Sequence, residues 1–380
     1  MKTNPNIMIA PLIAAALLWT GCSEVNPVYT PATGSEEDGT VTGFALGADI
    51  SSVTEYENNG ETFYNAEGNA RECTALMKEI GMNSIRLRVW VNPENGWCNK
   101  SDVLVKALRA QKLGMRLMID FHYSDTWADP GRQLVPAAWM EYNTEEIADA
   151  VADHTTEVLT LLKDNGVDVE WVQVGNEVTP GMIFHTDVAV NDEGGTYGIG
   201  DHEYGGSLST HPENFAKFID AGYGAVKEVY PDAKVIVHVD RGQLRSVAEN
   251  VFDVLEANNA RYDIIGLSLY PYDDEASDWA TLLDRNVADC IDNISYLYRK
   301  YGHEVMIVET GMPYNMPDET YSMLTKLISG SKATEHCCGV FYWEPEAPAS
   351  SGYSLGAFDN SRPTHALDAF TEAAEENLAE

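Results

Sequence analysis

A chain of 380 residues, 44% of them hydrophobic and 10% aromatic, can bury one large core, and no Pro/Ser/Gly-rich spacer or internal repeat divides it after about residue 41. Its 60 acidic against 24 basic residues leave a formal net charge of -36, a surface field that repels phosphate backbones and anionic lipid headgroups. Composition thus argues against nucleic acid and polyanionic ligands and leaves neutral ones, although acidity also serves solubility alone.

The chain opens on Met1-Lys2 and an apolar stretch from Ile7 to Trp19, too short to span a bilayer comfortably and proportioned like the core of an export signal. The stretch closes on Thr20-Gly21-Cys22, a small residue before a cysteine, which resembles a bacterial lipobox although Trp19 stands where an aliphatic residue is usual. The expectation is a signal leader over 1–21, diacylation of Cys22, and a flexible tether over 22–40 carrying Pro27, Pro31 and Gly34. The protein would then be exported and anchored to a bacterial membrane, at the outer membrane or cell surface, through lipid only. Ordinary secretion is the alternative.

Runs of β-formers follow at about 44–50, 84–90, 116–122, 169–176, 234–239, 263–270, 304–309 and 339–344. Between them lie amphipathic segments over 70–80, 101–113, 144–164, 212–230, 245–257 and 289–301, with Gly81, Gly114, Gly166 and Gly302 at expected helix ends. Eight strands alternating with helices predict an α/β fold, a single-domain (β/α)8 TIM barrel over 41–375. A doubly wound sheet is the rival, but no Gly-x-Gly-x-x-Gly follows any strand.

Functional groups of such a barrel gather where the strands end. Asp49, Arg86, Arg88, Trp90, Asp120, His122, Asn176, Glu177, His238, Asp240, Tyr270, Glu309, Trp343 and Glu344 all fall in or at the end of a predicted strand. The two apolar runs that close on Glu177 and Glu309 matter most. Aiming two carboxylates at one cleft is costly, and glycoside hydrolysis is the commonest chemistry that requires it. Glu177 would act as acid/base, with the Asn176 amide on a sugar hydroxyl; a helix cap is the structural alternative for this pair. Glu309 would be the nucleophile, held ionised by Arg86 or Arg88 and receiving a hydrogen bond from Tyr270; a plain core salt bridge is its alternative.

Trp90, Trp127, Trp139 and Trp343 are candidate sugar platforms, each also compatible with the core. Trp127 is the best placed, in the polar loop Tyr-Ser-Asp-Thr-Trp-Ala-Asp-Pro-Gly that also carries Asp125. His122 and His238 read as hydrogen-bonding groups of the cleft and His303 as a surface residue, since no His-x-x-x-His or carboxylate spacing supports a metal. Beyond Cys22, the cysteines 73, 98, 290, 337 and 338 are odd in number and lack metal-ligand spacing, so no disulfide is assigned.

Five segments then carry a resemblance: Gly-Ala-Asp-Ile-Ser-Ser (47–52), Ile-Arg-Leu-Arg-Val-Trp-Val-Asn-Pro (85–93), Asp-Phe-His-Tyr-Ser-Asp-Thr-Trp-Ala-Asp-Pro-Gly (120–131), Gln-Val-Gly-Asn-Glu (173–177) and Val-Phe-Tyr-Trp-Glu-Pro (340–345). In this order they resemble glycoside hydrolase family 53, the arabinogalactan endo-β-1,4-galactanases of clan A. Asn-Glu alone is shared across that clan, which includes mannanases, cellulases and xylanases. The resemblance implies retaining double displacement on β-1,4-galactan and galacto-oligosaccharides, with Glu177 as acid/base and Glu309 as nucleophile. It also implies a cleft lined by Asp49, Arg88, His122, Trp127, Asn176, Tyr270 and Trp343, to which the strand-end positions add Trp90, Asp120, His238 and Glu344 and the loop after the third strand adds Asp125.

No cofactor is needed for this chemistry, and a monomer is expected. Some bacterial members carry an Asp-rich calcium loop after the nucleophile strand; here 311–320 passes quickly into a helix, which argues against a structural calcium ion there. Another clan activity on mannan or glucan, or a non-catalytic surface glycan-binding lipoprotein, are the rival readings. The acidic, glycine-rich insertion from about 186 to 211 is long enough to shape distal subsites.

Overall fold

Eight strands, each too apolar to face water on either side, close into a parallel barrel in which every strand lies between its neighbours in sequence and the last pairs with the first. They are β1 (Ala45–Asp49), β2 (Ser84–Val89), β3 (Arg116–Phe121), β4 (Trp171–Val174), β5 (Lys234–Val239), β6 (Ile264–Leu269), β7 (Glu304–Thr310) and β8 (Cys337–Trp343). The computed structural model describes residues 43–184, 203–273 and 275–379. The expected leader, Cys22, the tether to residue 40 and most of the 186–211 insertion lie outside the described residues. Among those described, no helix is long and apolar enough to cross a membrane.

The helices are α1 (Val53–Asn58), α2 (Cys73–Glu79), α3 (Lys100–Lys112), α4 (Thr144–Asp164), α5 (Pro212–Val229), α6 (Arg245–Ala257), α7 (Trp279–Tyr301), α8 (Pro317–Ala333) and α9 (Asp368–Ala379). Asn143 starts α4 with a capping box, its side chain accepting from the Glu146 N–H while the Glu146 carboxylate accepts from the Asn143 N–H. Three expectations need correction. Helix α7 starts at Trp279 rather than 289, because Leu283 and Val287 extend the buried stripe of Cys290, Ile294 and Leu297 one face further back. Helix α2 starts at Cys73 because Ala70–Arg71 pairs antiparallel with Phe63–Tyr64 and Glu72 caps the helix. Cys337 and Cys338 lie inside β8 rather than before it. All five described cysteines are free thiols.

Two apolar cores hold the barrel. The larger lies between the strands and the surrounding helices. The smaller fills the barrel itself with Ala45, Met118, Trp171, Ile236, Ile264, Met306, Val308 and Phe341, all nearly inaccessible. Gly47 makes room for this filling, since a Cβ there would sit 2.3 Å from the Phe341 ring. Above the filling the register stacks a polar layer: Asp49 lies beside Arg86, Arg88 beside Asp120, Asp120 beside Gln173 and Ser268 beside Glu309.

The strands leave this layer by sharp turns. Tyr123, Glu177, Arg241 and Glu344 follow β3, β4, β5 and β8 with φ of +48°, +45°, +49° and +47°, a left-handed geometry that costs a non-glycine residue about 1–3 kcal/mol. Strand β4 therefore ends at Val174, short of the expected 176, and Glu177 stands on a turn opened by Gly175 at φ +81°. The turn after β8 leads to Glu346, which is fully buried with neither carboxylate oxygen hydrogen-bonded. Burial, and then the neighbouring Glu344, push its carboxyl well above the usual range.

The folded state thus holds the Glu346 proton more tightly than the unfolded chain. Its contribution to stability falls as pH rises above about 4.3, by up to about 1.4 kcal/mol per pH unit, until the folded carboxyl ionises. Glu346→Gln is expected to remove this slope. Denaturant unfolding of both proteins between pH 4 and 8 should show the variant gaining on wild type as pH rises; parallel curves would refute the assignment.

Candidate active site

One guanidinium organises the barrel mouth. Arg86, from β2, is fully buried and reaches three carboxylates on three strands: Nη1 lies 2.7 Å from Asp49 Oδ2 and 2.9 Å from Glu309 Oε1, and Nη2 lies 2.9 Å from Asp120 Oδ2. Nη2 also donates to Asn176 Oδ1 at 2.9 Å and to Gln173 Oε1 at 3.2 Å. Burial alone would lower its pKa, but Asp120, Glu309 and Asp49 together raise it above the ordinary value, so the cation is permanent.

Glu309 receives Arg86 on Oε1 and the Tyr270 hydroxyl on Oε2 at 3.0 Å. Burial pushes its carboxyl upward against the pull of Arg86. Glu177 is pushed further, by burial and then by Glu309 itself, with a Ser268 hydrogen bond as the one opposing contact. Arg86 holds Glu309, whereas among the described residues no ion pair holds Glu177, so Glu309 is the readier of the two to ionise.

Oxygens of Glu177 and Glu309 and a ring nitrogen of His238 lie within 4.8 Å of one another, the one such trio of metal-type donors among the described residues. One oxygen of Glu177, the Nε2 of His238 and both oxygens of Glu309 are already engaged. Ser268 Oγ bonds both Glu177 Oε1 and His238 Nε2, while Arg86 and Tyr270 hold Glu309. The loop from β7 to α8, residues 311–316, carries no carboxylate that could hold calcium.

A cleft of about 260 Å³ opens over the pair, lined by His122, Trp127, Asp129, Asn176, Glu177, Tyr270, Glu309, Trp343, Tyr353 and Leu355 among others. Trp127 meets Trp343 edge to face at 5.8 Å, and Trp343 meets Tyr353 at 4.6 Å, making one aromatic wall. Arg88 stacks its guanidinium 4.0 Å from the Trp127 ring centroid and 4.9 Å from that of Trp90, which stiffens this wall from behind. His122 takes N–H donors from Trp90 and Ala128 on Nδ1, so Nε2 carries the proton and donates to Asp120 at 3.1 Å. Asn176 is fixed by Arg86 on its oxygen and by donation to the Ala128 carbonyl at 2.7 Å.

The structure divides the sequence candidates by depth. His122, Trp127, Asn176, Glu177, Tyr270, Glu309 and Trp343 line the cleft together. Asp49, Arg88, Trp90, Asp120, His238 and Glu344 are buried and stand outside its lining. Glu344 accepts from the Ser52 amide and hydroxyl and is pushed up to about 7 by burial against the pull of Arg88. Asp125 is tied to the Asn92 and Ala137 amides and pins its own loop. Trp139 is a core residue, 6% exposed and packed on His154, not a platform. His303 is half-buried against the Tyr262 ring.

Sequence reasoning missed Gln173, Ser268, Asp129, Tyr353 and Leu355. Ser268 had a signal, since it stands two residues before Tyr270 and thus on the same strand face. Tyr353 and Leu355 lie in an irregular loop after β8 and carry no periodicity at all.

Comparison with known proteins agrees with this geometry. The profile of Glycosyl hydrolase family 53 matches residues 45–375. An uncharacterised protein from the bgaB 5' region of Niallia circulans is 33% identical, covering 83% of this chain and 88% of its own. The arabinogalactan endo-beta-1,4-galactanase A of Emericella nidulans is 28% identical over 84% of this chain and 91% of its own. A solved fungal beta-1,4-galactanase superposes with a TM-score of 0.74 at 24% identity, over 87% of this chain and 99% of its own, which speaks to the fold. With two glutamates facing each other at the open end of a closed eight-stranded barrel, this chain belongs to glycosyl hydrolase family 53.

Proposed function

We propose that the chain is a retaining endo-β-1,4-galactanase acting on the galactan of arabinogalactan and on galacto-oligosaccharides. The observation that carries the mechanism is the approach of Glu177 and Glu309 oxygens to within 4.8 Å. Retaining pairs stand roughly 5–5.5 Å apart and inverting pairs about 6.5–9.5 Å, leaving room for water. In the first step Glu309 attacks the anomeric carbon while Glu177 protonates the departing glycosidic oxygen. In the second, Glu177 takes a proton from water, which attacks the glycosyl ester and releases Glu309. Tyr270 and Arg86 donate into opposite oxygens of Glu309 and fix its aim. The wall of Trp127 and Trp343 offers faces for the apolar side of a pyranose, and Asn176 a second amide proton for a hydroxyl.

Galactan as substrate draws support from the name of the Emericella relative. The net charge of -36 is compatible with a neutral polymer and unfavourable to a polyanionic one. Reducing-end release from galactan, mannan, xylan and glucan should be compared side by side, with the first-formed anomer read by proton NMR. The expected result is preference for galactan and initial β-anomer. Preference for another glycan, or initial α-anomer, overturns substrate or mechanism respectively, and no release from any glycan favours the binding-protein reading. We further propose lipidation at Cys22, export to the bacterial outer membrane or cell surface, and a monomeric enzyme. Cys22→Ala should move the protein from the membrane to the soluble fraction.

A further inference from the structure

Most contacts of Glu177 follow from the proposed reaction, but one does not. Glu177 Oε1 accepts a hydrogen bond from Ser268 Oγ at 2.7 Å, and the same oxygen of Ser268 lies 2.7 Å from His238 Nε2. His238 is completely buried at the end of β5, and neither it nor Ser268 lines the cleft.

Whenever Glu177 is ionised its oxygens only accept, so the single proton of the Ser268 hydroxyl goes to Glu177 Oε1 and Ser268 Oγ accepts from His238 Nε2–H. Nδ1 is then the bare nitrogen. Two donors face it, the Gln173 amide nitrogen at 3.1 Å and the Glu177 N–H at 3.4 Å, and one acceptor, Asn176 Oδ1 at 3.0 Å, which itself receives Arg86 at 2.9 Å and Gln173 at 3.0 Å. Burial and the nearby Arg86 hold the ring neutral, so it cannot deliver a charge of its own.

We infer that Ser268 and His238 are positioning residues for the acid/base: a one-way chain from His238 Nε2–H through Ser268 Oγ–H occupies Glu177 Oε1 and reserves Oε2 for the catalytic proton. The inference rests on the glycosidase reading of Glu177. A carboxyl that can carry its proton on either oxygen presents it to the leaving group only part of the time. The chain also stabilises the ionised form, in opposition to the groups that face Glu177: Glu309 on β7, Asp240 after β5 and Asp129 in the loop after β3, with Tyr270 beside them.

Ser268→Ala should therefore raise the alkaline limb of kcat/KM by about one pH unit and lower kcat roughly tenfold at the optimum. Ser268→Thr, which keeps the hydroxyl, should restore both. A merely structural defect would depress the rate evenly across pH and leave the limb in place, which would overturn the proposal. So would failure of threonine to rescue. Carbon-13 NMR of the Glu177 carboxyl, identified by its loss in Glu177→Gln, reads the same titration without substrate. If wild type cleaves no glycan, the proposed function falls while this titration still decides the chain. Equal midpoints in wild type and Ser268→Ala would exclude it.

Discussion

Glu309→Gln is expected to lower galactan turnover by about ten-thousandfold or more with the fold intact. The amide keeps the volume, but its single oxygen can accept from only one of Arg86 and Tyr270, and it cannot form the glycosyl ester. Glu177→Gln should behave differently. Loss of a general acid costs about 10²–10⁴ in rate, and only where the leaving group needs a proton. On an aryl galactoside with an acidic phenol, the Glu177 variant should therefore retain a burst of phenol release followed by slow deglycosylation, whereas the Glu309 variant should show none. Identical behaviour of the two variants on that substrate would reverse or abolish the assignment of roles. Because Glu309 must be ionised and Glu177 protonated, the acid limb of the rate profile reports Glu309 and the alkaline limb Glu177.

The second large effect concerns Arg86. Its removal as Arg86→Ala leaves Asp49, Asp120 and Glu309 converging in a dry site with no cation among them. Stranding buried charge in this way costs about 3–5 kcal/mol, so denaturant unfolding at neutral pH should show a loss of that order. The sign of the pH dependence is testable as well. Without the guanidinium, burial pushes Glu309 higher than it already stands, and a carboxyl raised in the folded state loses stability as pH climbs from about 4.3 toward its folded value. The deficit relative to wild type should grow from pH 4 to 8. Arg86→Lys keeps a charge but not the planar fork that serves several strands at once, so it should recover part of the stability and little of the activity. A fully active lysine variant would show that charge, not geometry, is what the site needs.

Most of the barrel was legible because its strands are buried on both faces, and such strands announce themselves as unbroken apolar runs. Glu177 and Glu309 were legible because they interrupt those runs at their ends. What could not be read was depth. Asp49, Asp120, His238 and Glu344 share strand-end positions with the cleft residues, yet the stagger of neighbouring strands drops them behind its lining. Stagger is a property of eight strands together, invisible in any one of them. Trp139 misled for a related reason: the short 3-10 turn at Ala137–Trp139 carries it inward to pack on His154, and a single tryptophan carries no sign of depth in its sequence. Ser268 and Gln173 are single polar residues inside apolar strands, and their contacts with His238 emerge when β4, β5 and β6 stand side by side.

The filling of the barrel bears on how selectivity arises. Trp171 and Phe341 touch edge to face at 6.2 Å inside a close-packed apolar floor. A floor packed in this way gives a sugar ring nothing to sink into, so discrimination among rings falls to the rim, where Trp127, Trp343 and Tyr353 stand.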